Sequence, residues 1–158
     1  MEKKIKIIMA SIILLILIIA LIVTNAPKKE KEKEKDKNTY VCTYTQNVAE
    51  VDMITTYYVH FDKENIKTID VNKIYKGNTT KAKDGIANYR YIIGVETEQY
   101  SKYPGIKTKI NKDSKKEYNY TYTFDVTKID ENLASLFGVH TTVNEQNEYF
   151  KTNNYVCE

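Results

Sequence analysis

Arginine, tryptophan, proline and histidine are scarce in this chain, and the shortages exclude more than the abundances suggest. Arg90 is the only arginine. Bidentate recognition of phosphates and base edges draws heavily on arginine, so no nucleic-acid partner is expected despite a formal net charge of +3. That charge lies outside the globular part: residues 1–27 contribute +2, residues 28–37 a further +2 and residues 38–158 only −1. Tryptophan is absent and there are two prolines, while lysine, asparagine, isoleucine and tyrosine abound. Such a bias is the composition of an AT-rich bacterial genome and bears on origin rather than on function. The two histidines, His60 and His140, leave little material for acid–base or metal chemistry. There is no glycine-rich phosphate loop, no nucleophile elbow and no paired-histidine zinc motif. His60 and Asp62 share one side of an expected strand, a spacing that suits an acid–base pair or a metal but that any polar strand face also produces. His140 follows Gly138 in a link between helices and reads as an ordinary surface histidine. No catalytic, cofactor-binding or metal residue is therefore assigned. Asn78-Thr79-Thr80 and Asn119-Tyr120-Thr121 fit the glycosylation pattern, which an asparagine-rich chain produces by chance.

What is abundant is concentrated at the N-terminus. Residues 7–23 are Ile, Leu, Ala, Val and Met apart from Ser11, roughly 17 residues or just over 25 Å of helix, near the lower limit for spanning a bilayer. Lys3, Lys4 and Lys6 precede the run, as in a secretory signal or an uncleaved signal anchor. Thr24 and Ala26 could serve a signal protease, but Pro27 would follow the cut, where its ring and missing N–H fit poorly. An uncleaved anchor over residues 1–27 is the expectation. No cysteine ends the run, which excludes lipid attachment there. Three lysines lie before the span and six after it, so the positive-inside rule taken alone would place the N-terminus outside. The export-type leader and the two cysteines beyond the span favour the opposite orientation, with the C-terminal domain extracytoplasmic. Residues 28–37 alternate lysine with Glu or Asp and contain nothing apolar to bury, so residues 28–38 read as a solvated spacer. Glu30 with Lys33, Glu32 with Lys35 and Glu34 with Lys37 also suit a helix.

Residues 39–158 suffice for one domain with one core. Its only cysteines, Cys42 and Cys157, bracket nearly everything that can fold. In an exported domain the simplest reading is a disulfide, the alternative being two buried thiols in a cytoplasmic one. There is no C-x-x-C and no adjacent histidine, so neither a redox motif nor a structural zinc site is indicated.

Periodicity organises the interior. Residues 39–46 read as a strand. Residues 51–61 place Met53, Thr55, Tyr57, Val59 and Phe61 on the better core face of a second, and residues 66–75 form a third carrying Ile69, Val71 and Tyr75. A polar break over 77–85, with Asp84 as a cap, precedes a helix over 86–100 whose inward stripe is Ile86, Tyr89, Ile93 and Tyr100, stopped by Pro104-Gly105. Residues 106–110 and 118–126 read as two more strands around a turn at 111–114. Tyr118, Tyr120, Tyr122, Phe124 and Val126 share one face of the last, either core under the helix or an exposed aromatic platform for a ligand. Residues 127–137 read as a short helix with Ile129, Leu133, Leu136 and Phe137 inward. A final helix begins near 141–142 with a Thr142–Glu145 capping box, and an extended piece carries Cys157.

The resulting order is export segment, charged spacer, strand bearing Cys42, meander, tyrosine-bearing helix, two strands and a helical tail ending in Tyr155-Val156-Cys157. That layout resembles the small YehR-like lipoprotein family and similar uncharacterised membrane-anchored proteins of low-GC Gram-positive bacteria, from which the chain departs in lacking a lipoprotein cysteine. The resemblance implies an α+β fold with an antiparallel sheet and a place at the cell envelope. The expected architecture is thus a sheet of about five strands with one main helix on one face and a short helical C-terminal region, preceded by one transmembrane helix. The expected role is non-catalytic binding at the cell membrane, with another envelope protein as the partner. An envelope enzyme of unrecognised type and an accessory subunit of a membrane complex are the alternatives.

Overall fold

The computed structural model describes residues 38–158; the expected anchor and nearly all of the spacer lie outside them. Among the described residues no helix is long and apolar enough to cross a membrane.

Three strands follow one another as an antiparallel meander, β1 (Thr39–Val48), β2 (Val51–Asp62) and β3 (Asn65–Lys76). Each turn is two residues long. Ala49 and Glu50 both take positive φ (50° and 70°), the twist that lets a two-residue hairpin match its strands. Lys63 (φ 56°) opens the second turn, and a register shift between His60 and Phe61 bends β2 against β3.

The chain then leaves the sheet through α1 (Thr80–Tyr100) and returns as β4 (Ile106–Ser114) and β5 (Glu117–Asp125). β5 inserts between β3 and β4, antiparallel to both, so β3 and β4 run parallel and α1 is the crossover that parallel strands require. The helix therefore covers the aromatic face of β5. It begins at Thr80, six residues before the expected start, because Thr79 and not Asp84 is the cap: its hydroxyl accepts from Ala82 N–H at 3.1 Å. The break shrinks to Gly77–Thr79, and Gly77 is fixed there because a Cβ would stand 2.5 Å from that of Ala82. The turn expected at 111–114 is strand. A bulge at Asn111 carries β4 on to Ser114, and Lys115 and Lys116 make the turn, closed by Ser114 Oγ on Glu117 N–H at 3.1 Å.

After β5, Asp125 accepts from the N–H and hydroxyl of Thr127, and the expected helix over 127–137 shortens to α2 (Glu131–Leu136), capped by Asp130. Ile129, Leu133 and Phe137 pack on the core as expected, but Leu136 points outward, 73% exposed. α3 (Val143–Thr152) starts at the anticipated box, with Thr142 Oγ1 accepting from Glu145 N–H and donating to its carboxylate at 2.8 Å. Asn154, at φ 59°, turns the chain back into β6 (Val156–Cys157).

β6 pairs antiparallel with β1, Cys42 opposite Cys157, and the two stand at disulfide distance with Cα atoms 4.0 Å apart. The sheet accordingly has six strands, in the order β4-β5-β3-β2-β1-β6, and not five. The sixth is two residues long, too short for alternation to announce it. The α+β class and the antiparallel sheet stand as expected.

Candidate binding surface

Alternation gives the sheet two unlike faces. The inner face carries Cys42, Tyr57, Val59, Ile69, Val71, Tyr75, Tyr118, Tyr120, Tyr122 and Phe124, all buried under the helices. The aromatic row of β5 is therefore core under the helix, the first of its two expected roles, and not an exposed platform for a ligand. Tyr75 stacks on Tyr89 of α1 at 4.4 Å between ring centroids, and Tyr57 meets Phe150 of α3 edge-on at 5.1 Å. Desolvation of the phenolate pushes Tyr40 and Tyr122 up to about 12 and raises Tyr57 and Tyr120 further. Lys73 shares this face. Burial under α1 lowers its ammonium below the ordinary lysine value, against a smaller opposing pull from Glu96.

The outer face is a field of short polar side chains bonded across strands. Asn72 donates to Asn119 Oδ1 at 2.7 Å and to Thr121 Oγ1 at 3.0 Å, Asn111 joins the same two residues, and Thr43 meets Thr56 at 3.2 Å. His60 lies here and pairs with residues other than Asp62: its Nδ1 is 2.8 Å from Thr39 Oγ1 and its Nε2 is 3.6 Å from Asp70 Oδ2. Hydroxyl, imidazole and carboxylate thus stand in line, as in a nucleophile–base–orienter set. The strand ladder occupies the neighbouring backbone N–H groups, however, leaving no donors for an oxyanion, and the set lies on an open face. His140 is on the other side of the sheet with α3, its ring 5.6 Å from that of Tyr149. The two histidines cannot share a cleft. Among the described residues no group of three or more His, Cys, Asp or Glu is placed to hold a metal ion.

What the fold leaves open is the outside of α1. Tyr91 is 75% exposed, Val95 50% and Tyr103, just past the helix, 47%, with Ile92 exposed beside them. Val95, Glu98, Gln99, Lys102 and Tyr103 line a shallow groove along the last turns. Arg90, the only arginine, sets this helix against β4. Its Nε donates to Asp113 at 2.8 Å, its Nη2 to Ser114 O at 2.9 Å, and its guanidinium lies 5.4 Å from the centre of the Tyr118 ring. Ile110 of β4 is 57% exposed along the same edge. No residue of this surface was assigned from the sequence. The signal was an excess: Ile86, Tyr89, Ile93 and Tyr100 already fill one inward stripe, so Tyr91, Ile92 and Val95 had no place left in the core.

No protein-family model matches the chain, and no curated protein sequence does. Solved structures do. The fold is similar to that of the E. coli YehR protein. Its NMR structure matches with a TM-score of 0.53 at 11% identity, over 74% of this chain and 88% of that one. The NMR structure of a protein from Streptococcus pneumoniae TIGR4 matches with a TM-score of 0.47 at 14% identity, over 78% of this chain and 87% of that one. The likeness to YehR is one of architecture.

Proposed function

We propose that the described domain is a non-catalytic binding module, held at the cell envelope by the apolar segment at 7–23 and its charged spacer, in the manner of the small YehR-like proteins whose layout it resembles. The observation that carries this reading is the exposed apolar side of α1, where Tyr91, Ile92 and Val95 are exposed along its second half and Val95 shares a groove with Tyr103, just past its end. Single exposed apolar residues are ordinary, but an adjoining group with a groove beside it marks a surface that something covers. The enzyme alternative lacks a comparable observation, since the one aligned hydroxyl–imidazole–carboxylate set lies flat on the polar face.

The test is a photo-crosslinking residue placed at position 91 and, as a control, at Lys151 on the exposed side of α3. Irradiation of intact cells should give adducts from position 91 and none from position 151. Equal yields from both positions would show that α1 presents no particular surface.

A further inference from the structure

The sheet ends in β4 on one side and, on the other, in β1 under its two-residue cover β6. The two edges are built differently. β4 carries Lys107, Lys109 and Lys112 and is bulged at Asn111, devices that keep a further strand from pairing with it. β1 has none of them: Thr39–Val48 contains no charged residue and no proline, and its register against β2 runs unbroken. β6 lies along it instead and covers little. It pairs with Cys42 and Thr43, while Glu158 exchanges backbone hydrogen bonds with Val41. Alternation turns the N–H and C=O of Thr39, Val41, Thr43, Thr45 and Asn47 to this edge, since those of the residues between them face β2. With β6 in place, the described residues leave Thr39 open at one end and Thr45 and Asn47 at the other, stretches too short to hold a strand. β6 itself is weakly held. Both of its residues are exposed, so packing contributes little, whereas Tyr155 just before it meets Tyr57 and Phe150 with ring centroids 5.3 and 5.2 Å apart. Release of β6 therefore stops at Tyr155, and the bond from Cys157 to Cys42 decides whether release occurs.

We propose that β6 is a sulfur-held cover over the edge of β1, and that its reduction lets β1 pair antiparallel with β1 of a second copy of this chain. This surface is separate from the exposed side of α1 and goes beyond the reading above. The occupant follows from the strand's own sequence. Pairing about a two-fold axis sets a strand against itself, so charges near the axis are brought close to their own copies. On β4 that would gather Lys107, Lys109 and Lys112 with their equivalents; on β1 there is no charge to oppose. An axis at Thr43 sets Val41 against Thr45 of the second copy and Thr39 against Asn47. All five outward-facing residues then find a partner, and every side chain brought together is neutral. The chemistry that opens the edge is thiol–disulfide exchange with a dithiol. One thiol of the reductant bonds to one sulfur of the pair, and the other protein sulfur leaves as a thiolate that takes up a proton. The reductant's second thiol then displaces the remaining protein sulfur, which leaves two protein thiols and a disulfide within the reductant. Cys42 is wholly buried and Cys157 exposed, so the reductant reaches the pair from the side of Cys157.

The test is the mass of the full chain in a mild non-ionic detergent, measured by sedimentation velocity with the bound detergent subtracted, before and after incubation with dithiothreitol. The mass should double on reduction. Cys42→Ser with Cys157→Ser should show the doubled mass without reductant. Adding Thr43→Lys and Thr45→Lys to that variant should return the mass to that of the oxidised chain, because lysines would then crowd the axis. Thr68→Lys, on the central strand β3, should leave the doubling intact. Near-ultraviolet circular dichroism follows the fold in each sample. An unchanged mass in a reduced, folded chain overturns the proposal. So does a doubling that survives Thr43→Lys with Thr45→Lys, which would place the contact elsewhere, or growth into larger species, which a closed two-fold pair forbids. Loss of the circular dichroism signal on reduction overturns it too, since the bond would then hold the whole fold and not one edge.

Discussion

Gly138 and Gly94 show how differently one residue type can be constrained in this chain. Gly138 ends α2 at φ +65°, and a Cβ there would stand 2.2 Å from Cζ of Tyr149. Gly138→Ala should therefore cost roughly 2–4 kcal/mol, the sum of a left-handed backbone and an overpacked ring. Gly94 is helical, exposed and meets nothing, so Gly94→Ala should stabilise by about 0.5–1 kcal/mol. Urea titration of both variants checks the pair, and a destabilised Gly94→Ala would mean that something already occupies the space beside α1. The sequence could not separate these two glycines, because the difference lies in Tyr149, eleven residues on from one of them. Partners of this long-range kind are what sequence reading lacked elsewhere. Gln146 looks like a polar helix residue, yet it is wholly buried, donating to Gly138 O and accepting from His140 N–H, both at 2.9 Å. Lys73, on which the strand pattern is silent, lies beneath α1, and His60 pairs with Thr39 and Asp70 in place of Asp62.

Elements were legible where local chemistry alone decides them. The period-two pattern of β5 and the Thr142–Glu145 box both lie within a few residues and are as the sequence predicts. Boundaries failed where two residues competed for one task, as Thr79 and Asp84 did for the start of α1. The binding surface was not read, because exposure of Tyr91, Val95 and Ile110 depends on where Arg90 ties α1 to β4. β6 is a further case: two residues carry no pattern, and the pairing with β1 exists because Cys157 meets Cys42 and Glu158 exchanges backbone hydrogen bonds with Val41. So short a strand cannot hold its place unaided. Replacing both cysteines by serine should release it and lower stability by about 4–5 kcal/mol in the chain-entropy model, for a closed loop spanning 115 residues. Chemical denaturation of the double variant, compared with the oxidised parent, measures this. A loss under about 1 kcal/mol would mean that the bond contributes little to the fold.

The whole domain is held by tyrosine to an unusual degree, with Tyr57, Tyr75, Tyr118, Tyr120 and Tyr122 among its most buried residues. A phenol whose pKa is higher folded than unfolded contributes stability that is complete below the unfolded value, 10.0, and is lost as pH rises through the folded one. Lys73 acts in the opposite sense, its contribution rising with pH up to its unfolded value of 10.5, but it is one group against several. The domain should therefore unfold cooperatively above pH 10, with tyrosinate absorbance appearing in the same transition as the loss of circular dichroism. Tyrosinate forming gradually in a still folded protein would contradict this. The pairing of Cys42 with Cys157 has another consequence at this scale. Among the described residues every hairpin turn and every helix lies between these two cysteines. A protease that cut any one of those connections would produce two peptides still joined through sulfur, the N-terminal one continuing into the spacer. A nicked domain would remain one covalent molecule, and only a reducing agent would set the pieces free.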